Sequence, residues 1–116
     1  MLTEFGKVLK KIRVDRNEIL KDMANKLGVT VSYLSAIENG KREVPDNWIN
    51  KIKSNYRLSS KESSDLENSF FESKKEISIK LSNLNDTKKQ AAIAFAREFE
   101  EFSDEEIKAI LKIIKK

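Results

Sequence analysis

Residues 20–42 constrain the fold most, because a single glycine there separates two short stretches with helical periodicity. Four residues of the first stretch fall at positions i, i+3, i+4 and i+7 and predict a buried helix face: Leu20, Met23, Ala24 and Leu27. Gly28 tolerates the positive φ that ends a helix and begins a tight turn. Thr30 is predicted to cap a second short helix that buries Leu34 and Ile37. The pattern predicts two helices that cross at a steep angle.

The rest of the chain is also predicted to be mainly helical, since every glycine and the single proline lie within the first 45 residues. Thr3 is predicted to cap the first helix, and Pro45 to open the fourth helix, where its missing N–H does least harm. Another helix is expected to start at residue 86 or 87. Two Ser-x-x-Glu sequences predict capping boxes later in the chain: Ser59 with Glu62, and Ser103 with Glu106.

The composition argues against catalysis and metal binding. The chain contains neither cysteine nor histidine, which removes disulfides, thiolate metal sites and the commonest general base. We therefore expect no enzymatic activity, no catalytic or metal-binding residues and no cofactor. No apolar run approaches the ~20 residues of a membrane span, and residues 1–10 lack the apolar centre of a signal peptide. A cytoplasmic protein without a membrane partner is expected.

The positive charge is concentrated in the N-terminal half. Residues 1–57 hold 12 Lys and Arg against 7 Asp and Glu, a net charge of +5, whereas residues 58–116 hold 11 against 12, a net charge of −1. A basic excess in one region is expected if that region meets an anionic polymer, but helical proteins also carry many surface Lys and Glu residues. The charge distribution alone leaves both interpretations open.

The second helix of residues 20–42 keeps one face free of the core. That face, within the stretch from Val31 to Asn39, is formed by Val31, Ser32, Ser35, Ala36 and Asn39. A helix face of this kind fits the major groove of DNA, which is about 12 Å wide.

In this segment the sequence resembles the phage-repressor helix-turn-helix family, described as Cro/CI-like or XRE. The matching residues are Met23-Ala24, Leu27-Gly28-Val29-Thr30, Tyr33-Leu34-Ser35 and Ile37-Glu38-Asn39-Gly40-Lys41. The resemblance covers roughly residues 4–58. It implies a lambda-repressor-like helix-turn-helix bundle that binds double-stranded DNA.

The resemblance also implies roles for individual residues. The residues expected to read base edges are Val31, Ser32, Ser35 and Ala36. The residues expected to contact phosphates or position the protein are Lys21, Thr30, Tyr33, Asn39, Lys41 and Arg42. Arg13 and Glu38 match a pair of residues that form a structural ion pair in many family members.

Two departures leave the mode of sequence discrimination open. Leu20 stands where many family members have a glutamine that contacts phosphate and base. The reading face also offers no Arg for guanine, and no Asn or Gln for adenine before Asn39. Serine hydroxyls, contacts with thymine methyl groups, bridging water and DNA shape all remain possible sources of specificity, and so do larger roles for Lys21 or Tyr33.

The chain is interpreted as a DNA-binding domain at residues 1–58 followed by a helical dimerisation or interaction region at residues 59–116. In the second region Ile77, Ile79 and Leu81 alternate with polar residues, which predicts one short strand. A lone strand exposes unpaired backbone groups, and its simplest partner is the same strand of a second copy. The alternative is an irregular linker followed by helices that pack on the DNA-binding domain.

Two functions are consistent with these features. The first is a homodimeric transcriptional repressor of phage or mobile-element type. The second is an antitoxin-like protein whose C-terminal half binds a partner protein while its N-terminal half represses its own promoter.

Overall fold

The computed structural model describes residues 1–115. Within these residues the chain forms seven α-helices and one 3₁₀ turn: α1 (Glu4–Val14), α2 (Leu20–Leu27), α3 (Val31–Glu38), α4 (Trp48–Asn55), α5 (Ser60–Ser73), α6 (Asp86–Glu98), the 3₁₀ turn (Phe99–Glu101) and α7 (Asp104–Ile114). The prediction of a mainly α protein is confirmed. The chain divides into two compact units, Met1–Glu76 and Ile77–Lys116.

The N-terminal unit, Met1–Glu76, contains α1 to α5 around one hydrophobic core. Its buried apolar residues come from all five helices and two connecting segments: Phe5, Leu9, Ile12, Met23, Ala24, Leu27, Leu34, Ile37, Val44, Trp48, Ile52, Tyr56, Leu66 and Phe70. Helix α1 packs against α2, α3 and α5, and α4 bridges α2 and α5. The α2–α3 pair therefore lies at one side of the core, and α1 packs against both of its helices.

The predicted helix caps are confirmed, because each is set by residues only three positions apart. The Thr3 hydroxyl accepts a hydrogen bond of 3.1 Å from the Gly6 amide. The Ser59 and Ser103 hydroxyls each accept one of 3.1 Å from the amide of the glutamate three residues on. Helix α4 begins at Trp48 rather than at Pro45, because the Trp48 amide donates to the Pro45 carbonyl at 3.1 Å and closes a turn between them.

The N-terminal unit extends further than the predicted division between residues 1–58 and 59–116. Helix α5 packs along α1, and its residues Leu66 and Phe70 lie in the core of that unit. Lys74, directly after α5, is bonded to the segment before α4. Its Nζ donates to the Val44 carbonyl at 2.6 Å and to Asp46 Oδ1 at 2.9 Å. The boundary between compact units therefore lies after Glu76. The functional division remains a prediction.

The short strand predicted at Ile77, Ile79 and Leu81 is absent, and residues 76–81 form neither helix nor strand. Alternation of apolar and polar residues supplies a pattern, but a strand also needs a neighbouring strand to pair its N–H and C=O groups. The described residues contain no strand that could serve as that partner. Ile77 and Ile79 are accordingly exposed. The structure therefore gives no support for the short strand, and the dimerisation role of Ile77, Ile79 and Leu81 stays a prediction.

The C-terminal unit contains α6, the 3₁₀ turn and α7, and none of its described residues is buried. Its aromatic residues form a local cluster, in which the Phe95 ring lies 5.3 Å from the Phe99 ring and 5.6 Å from the Phe102 ring between centroids. These contacts join α6 to the segment that follows it. The backbones of α6 and α7 do not come close to each other in the described part of this unit.

Candidate nucleic-acid interface

The turn between α2 and α3 is set by Gly28 and Thr30. Gly28 has φ of 68°, a left-handed conformation that residues with a Cβ rarely adopt. A Cβ at this position would meet no atom within 4 Å, so glycine is required here for its backbone conformation and not for space. The Thr30 hydroxyl accepts a hydrogen bond of 3.0 Å from the Tyr33 amide and begins α3 directly after the turn.

Helix α3 presents two distinct faces. Leu34 and Ile37 are at most 1% exposed and hold the helix on the core. On the other side Val31 is 41% exposed, and Ser32 is also exposed. Ser35 and Ala36 are half-buried one turn further along. The structure thus brings all four predicted base-reading residues onto one accessible face of α3.

A buried ion pair fixes the C-terminal end of α3 to α1. Arg13 donates two hydrogen bonds to the Glu38 carboxylate, one of 3.0 Å from Nη2 to Oε1 and a second from Nη1 to Oε2. The two residues are 7% and 2% exposed. Because an unpaired buried charge is strongly destabilising, each partner needs the other to stay in place. The pair lies behind the reading face and does not take part in it.

The backbone of Glu38 makes a second attachment to α1. Its carbonyl accepts a hydrogen bond of 2.9 Å from the Thr3 amide and one of 3.1 Å from the Thr3 hydroxyl. Gly6 allows this approach, since a Cβ there would lie 2.2 Å from the Glu38 carbonyl oxygen. The sequence analysis missed this role of Gly6, which depends on a contact between residues more than thirty positions apart.

Several cations and a helix terminus surround the reading face. Lys21 is exposed at the start of α2, and Lys41 and Arg42 are exposed just after α3. The first turn of α3 contains no acidic residue, so the partial positive charge of its N-terminus is not offset there. The Thr30 hydroxyl also lies at that terminus and keeps its hydrogen for a further acceptor. Positive charge therefore lies near the exposed face of α3, which is an arrangement suited to anionic groups.

Tyr33 is held between Trp48 and Arg42. Its ring lies 6.0 Å from the Trp48 ring between centroids, and the Arg42 guanidinium carbon lies 5.1 Å from the Tyr33 ring centre. A guanidinium over an aromatic face is attracted to the ring and keeps its N–H groups free to donate at the edge. The sequence analysis placed both Tyr33 and Arg42 among phosphate contacts, and the structure places them side by side.

Asn39 is engaged within the protein. Its Nδ2 donates to the Ser35 carbonyl at 2.9 Å and lies 3.3 Å from the Ser35 hydroxyl. These bonds satisfy the last turn of α3, which is a capping role that the sequence analysis did not assign. If Asn39 also contacts a phosphate, the same side-chain amide must serve both the phosphate and the end of α3.

Lys51 is a further cation near the reading helix that the sequence analysis did not single out. Together with Thr30, Tyr33 and Trp48 it lines an open recess at the N-terminal end of α3. The signal that identifies it is spacing, because Lys51 follows Trp48 by three positions and therefore lies on the same side of α4.

The ionisable groups with shifted pKa values lie in the supporting helices. Arg16 donates to the Glu62 carboxylate at 2.8 and 3.1 Å, and these hydrogen bonds lower the pKa of Glu62 from 4.5 to about 2 and raise that of Arg16. Burial tends to raise the pKa of Glu18, but hydrogen bonds from Lys26 and Tyr56 outweigh it and lower that pKa. Burial, and then the bond to Glu18, raises the pKa of Tyr56. These pairs attach α5 and the end of α4 to the α1–α2 connection.

Among residues 1–115, no group of acidic residues is arranged to hold a metal ion. In the same part of the chain, no helix is long and apolar enough to span a membrane.

Comparison with known proteins gives one match. A family model described as helix-turn-helix matches residues 9–47, which include the second half of α1, all of α2 and α3, and the loop before α4. The comparisons with curated proteins and with solved structures each found no match.

Proposed function

We propose that this chain is a DNA-binding transcription regulator and, more specifically, a homodimeric repressor of phage or mobile-element type. The match of residues 9–47 to a helix-turn-helix family model supports a DNA-binding regulator of the Cro/CI-like kind. In this proposal α3 enters the major groove of double-stranded DNA. The observation that carries it is the two-faced arrangement of α3, in which Leu34 and Ile37 are buried while Val31 and Ser32 are exposed between flanking cations.

The proposed contacts divide into those that read bases and those that position the protein. Ser32 and Ser35 offer hydroxyl groups to base edges, and Val31 and Ala36 offer methyl groups that suit the thymine methyl. The half-burial of Ser35 and Ala36 limits their reach, so Val31 and Ser32 are proposed to approach the bases most closely. A face of such short side chains gives few bidentate contacts, which is why DNA shape and bridging water are expected to contribute to specificity.

The proposed positioning contacts surround this face. Lys21, Lys41 and Arg42 are exposed cations, and the Thr30 hydroxyl adds a donor at the N-terminus of α3. Phosphate contacts of this kind fix the register of the protein on DNA and make its affinity depend on salt. Asn39 stays in the proposed set with a reduced role, because its amide already caps α3.

The proposal of a homodimer follows from the needs of operator recognition. One reading helix contacts only a few base pairs, whereas two copies on half-sites about 34 Å apart contact twice as many. The C-terminal unit supports this proposal, since none of its described residues is buried and its apolar side chains are open to a partner.

Footprinting on the DNA upstream of the gene, in ~100–150 mM salt, tests this function. We expect protection of two patches about one helical turn apart. Ala36→Glu is expected to abolish the preference for that DNA and to leave helicity intact, because it places a carboxylate against phosphates and base edges. The matched control is Lys61→Ala on the exposed side of α5, which is expected to keep the protection. Equal loss in both variants, or no sequence preference in the wild type, would overturn the proposal.

A second candidate function is an antitoxin-like interaction protein that also represses its own promoter. The specific observation in its favour is the same open apolar surface, which includes Phe99, 51% exposed, and Ile114, 70% exposed. Such a surface also suits a different protein. Self-association of the purified chain at micromolar concentration favours the repressor, and a chain that stays monomeric and binds a protein encoded beside it favours the antitoxin.

A further inference from the structure

Helix α7 carries an apolar stripe that is only partly covered, since Ile107 and Ile110 are half-buried and no residue of the stripe is fully buried. The stripe is formed by Ile107, Ile110, Leu111 and Ile114, and its C-terminal part is the most open, with Leu111 41% and Ile114 70% exposed. The backbones of α6 and α7 do not approach each other closely in the described part of the unit. A helix of 11 residues is only marginally stable on its own in water, so α7 needs a partner for this stripe.

The charges of α7 are divided along its length. Its acidic residues, Asp104, Glu105 and Glu106, all lie in the first turn. Its basic residues come later: Lys108 and Lys112 within the helix, and Lys115 directly after it. None of these side chains is paired in an ion pair within the described structure. The helix therefore has an acidic end and a basic end beside one continuous apolar stripe.

This pattern matches itself when two copies of α7 run in opposite directions. The acidic end of one helix then lies beside the basic end of the other at both ends of the pair, and the helix dipoles are also opposed. In a parallel pair, acid would face acid and base would face base. Self-complementarity of this kind is the property of a two-fold interface.

We propose that α7 pairs antiparallel with α7 of a second copy, about a two-fold axis that passes near Ile110 and Leu111. This inference rests on the proposed homodimer and names its surface. In this register Ile107 faces Ile114 of the other copy, and the aligned stripes bury one another.

The same register brings Asp104 close to Lys115 of the other copy. At 100° per residue the two positions lie about 20° apart around the helix and beside the stripe, and the register leaves them about 3 Å apart along the axis. The long lysine side chain spans that offset. Each dimer therefore contains this ion pair twice, once at each end. Glu105 and Lys112 lie on the face opposite the stripe and take no part.

Sedimentation equilibrium of the full-length chain over roughly 1–100 μM tests the pairing, because association depends on concentration. The wild type is expected to form a dimer. Asp104→Lys and Lys115→Glu are each expected to weaken association about tenfold, since each replaces two attractions by two repulsions. The double variant Asp104→Lys/Lys115→Glu is expected to return to within about threefold of the wild type, because the exchanged charges attract again.

Matched controls separate the pairing from effects on the helix itself. Glu105→Lys changes the charge of the same helix turn, and Lys112→Glu changes the charge of the last turn, but both lie away from the stripe. Both are expected to leave association unchanged. Leu111→Glu is expected to abolish the dimer, whereas Ala109→Glu on the opposite face is expected to keep it.

Three results would overturn the inference: a wild-type chain that is monomeric throughout, a double variant as weak as the single ones, or a Glu105→Lys effect equal to that of Asp104→Lys. Footprinting of the same proteins distinguishes a failure of the α7 pairing from a failure of the proposed function. A chain that protects two half-sites but is insensitive to the α7 charges retains the function and loses this surface. A chain that dimerises as described but shows no DNA sequence preference retains the surface and loses the function.

Discussion

The two units of this chain are built from similar local patterns and differ in what covers them. Each contains an amphipathic helix that begins with a Ser-x-x-Glu capping box, α5 in the N-terminal unit and α7 in the C-terminal unit. In the N-terminal unit the apolar stripes of five helices meet and bury each other. In the C-terminal unit the stripes are covered only in part, and no described residue is fully buried. The comparison shows that a helix pattern specifies a face for burial but does not say which partner buries it.

The largest effect on stability is expected from the buried ion pair of the N-terminal unit, because the C-terminal unit has no buried residue among those described. Glu38→Ala leaves Arg13 buried without its carboxylate and is expected to lower the free energy of unfolding by about 3–5 kcal/mol. Urea denaturation followed by the fluorescence of Trp48, the only tryptophan of the chain, measures this change in the N-terminal unit. A loss below about 1 kcal/mol would mean that the pair does not support α3.

A matched pair of leucines compares the units directly. Leu34→Ala removes a fully buried side chain from α3 and is expected to destabilise the N-terminal unit by about 2–5 kcal/mol. Leu111→Ala makes the same change on the open stripe of α7 and is expected to leave the Trp48 transition within about 0.5 kcal/mol of the wild type. Equal shifts of that transition in the two variants would show that the units are not separate.

A smaller effect is expected from the ion pair between α1 and α5. The pKa of Glu62 is lowered from 4.5 to about 2, so its contribution to stability is complete above pH 4.5 and is lost as the pH falls towards 2. Because the pair is partly exposed, we expect Glu62→Gln to remove only about 1–2 kcal/mol at pH 7 and to reduce the loss of stability in that acid range.

The control for Glu62→Gln is Asp65→Asn, which disrupts the more exposed pair with Lys61 and is expected to change stability by less than about 0.5 kcal/mol. Denaturation curves at several pH values, followed by Trp48 fluorescence, make the comparison. An Asp65→Asn effect as large as that of Glu62→Gln would contradict the role given to the Arg16–Glu62 pair.

The sequence predicted those features that depend on near neighbours. The caps at Thr3 and Thr30, and the helix end at Gly28, follow from residues within one turn, and the helix-turn-helix follows from their spacing. The strand predicted at residues 77–81 is not formed in the described chain, because strand pairing depends on a partner strand that the local pattern cannot report. The packing of α5 on α1 was likewise not predicted, since residues 59–76 were grouped by their position after residue 58.

The candidate site follows the same rule. The exposed face of α3 could be predicted, because the burial of Leu34 and Ile37 fixes the opposite side of one short helix. The stacking of Arg42 on Tyr33 could not, because it depends on how the loop after α3 folds back. The capping role of Asn39 was also missed, since an asparagine at a helix end serves a cap and a phosphate contact equally well.

The most direct test of the claim that α3 reads DNA uses the absence of cysteine from the chain. A single cysteine at Ser32, coupled to an iron chelate that cleaves nearby DNA, reports where α3 lies on the upstream DNA. We expect cleavage within the two protected half-sites from Ser32→Cys, and only background cleavage from Lys61→Cys on α5. Cleavage from position 61 but not from position 32 would contradict the account.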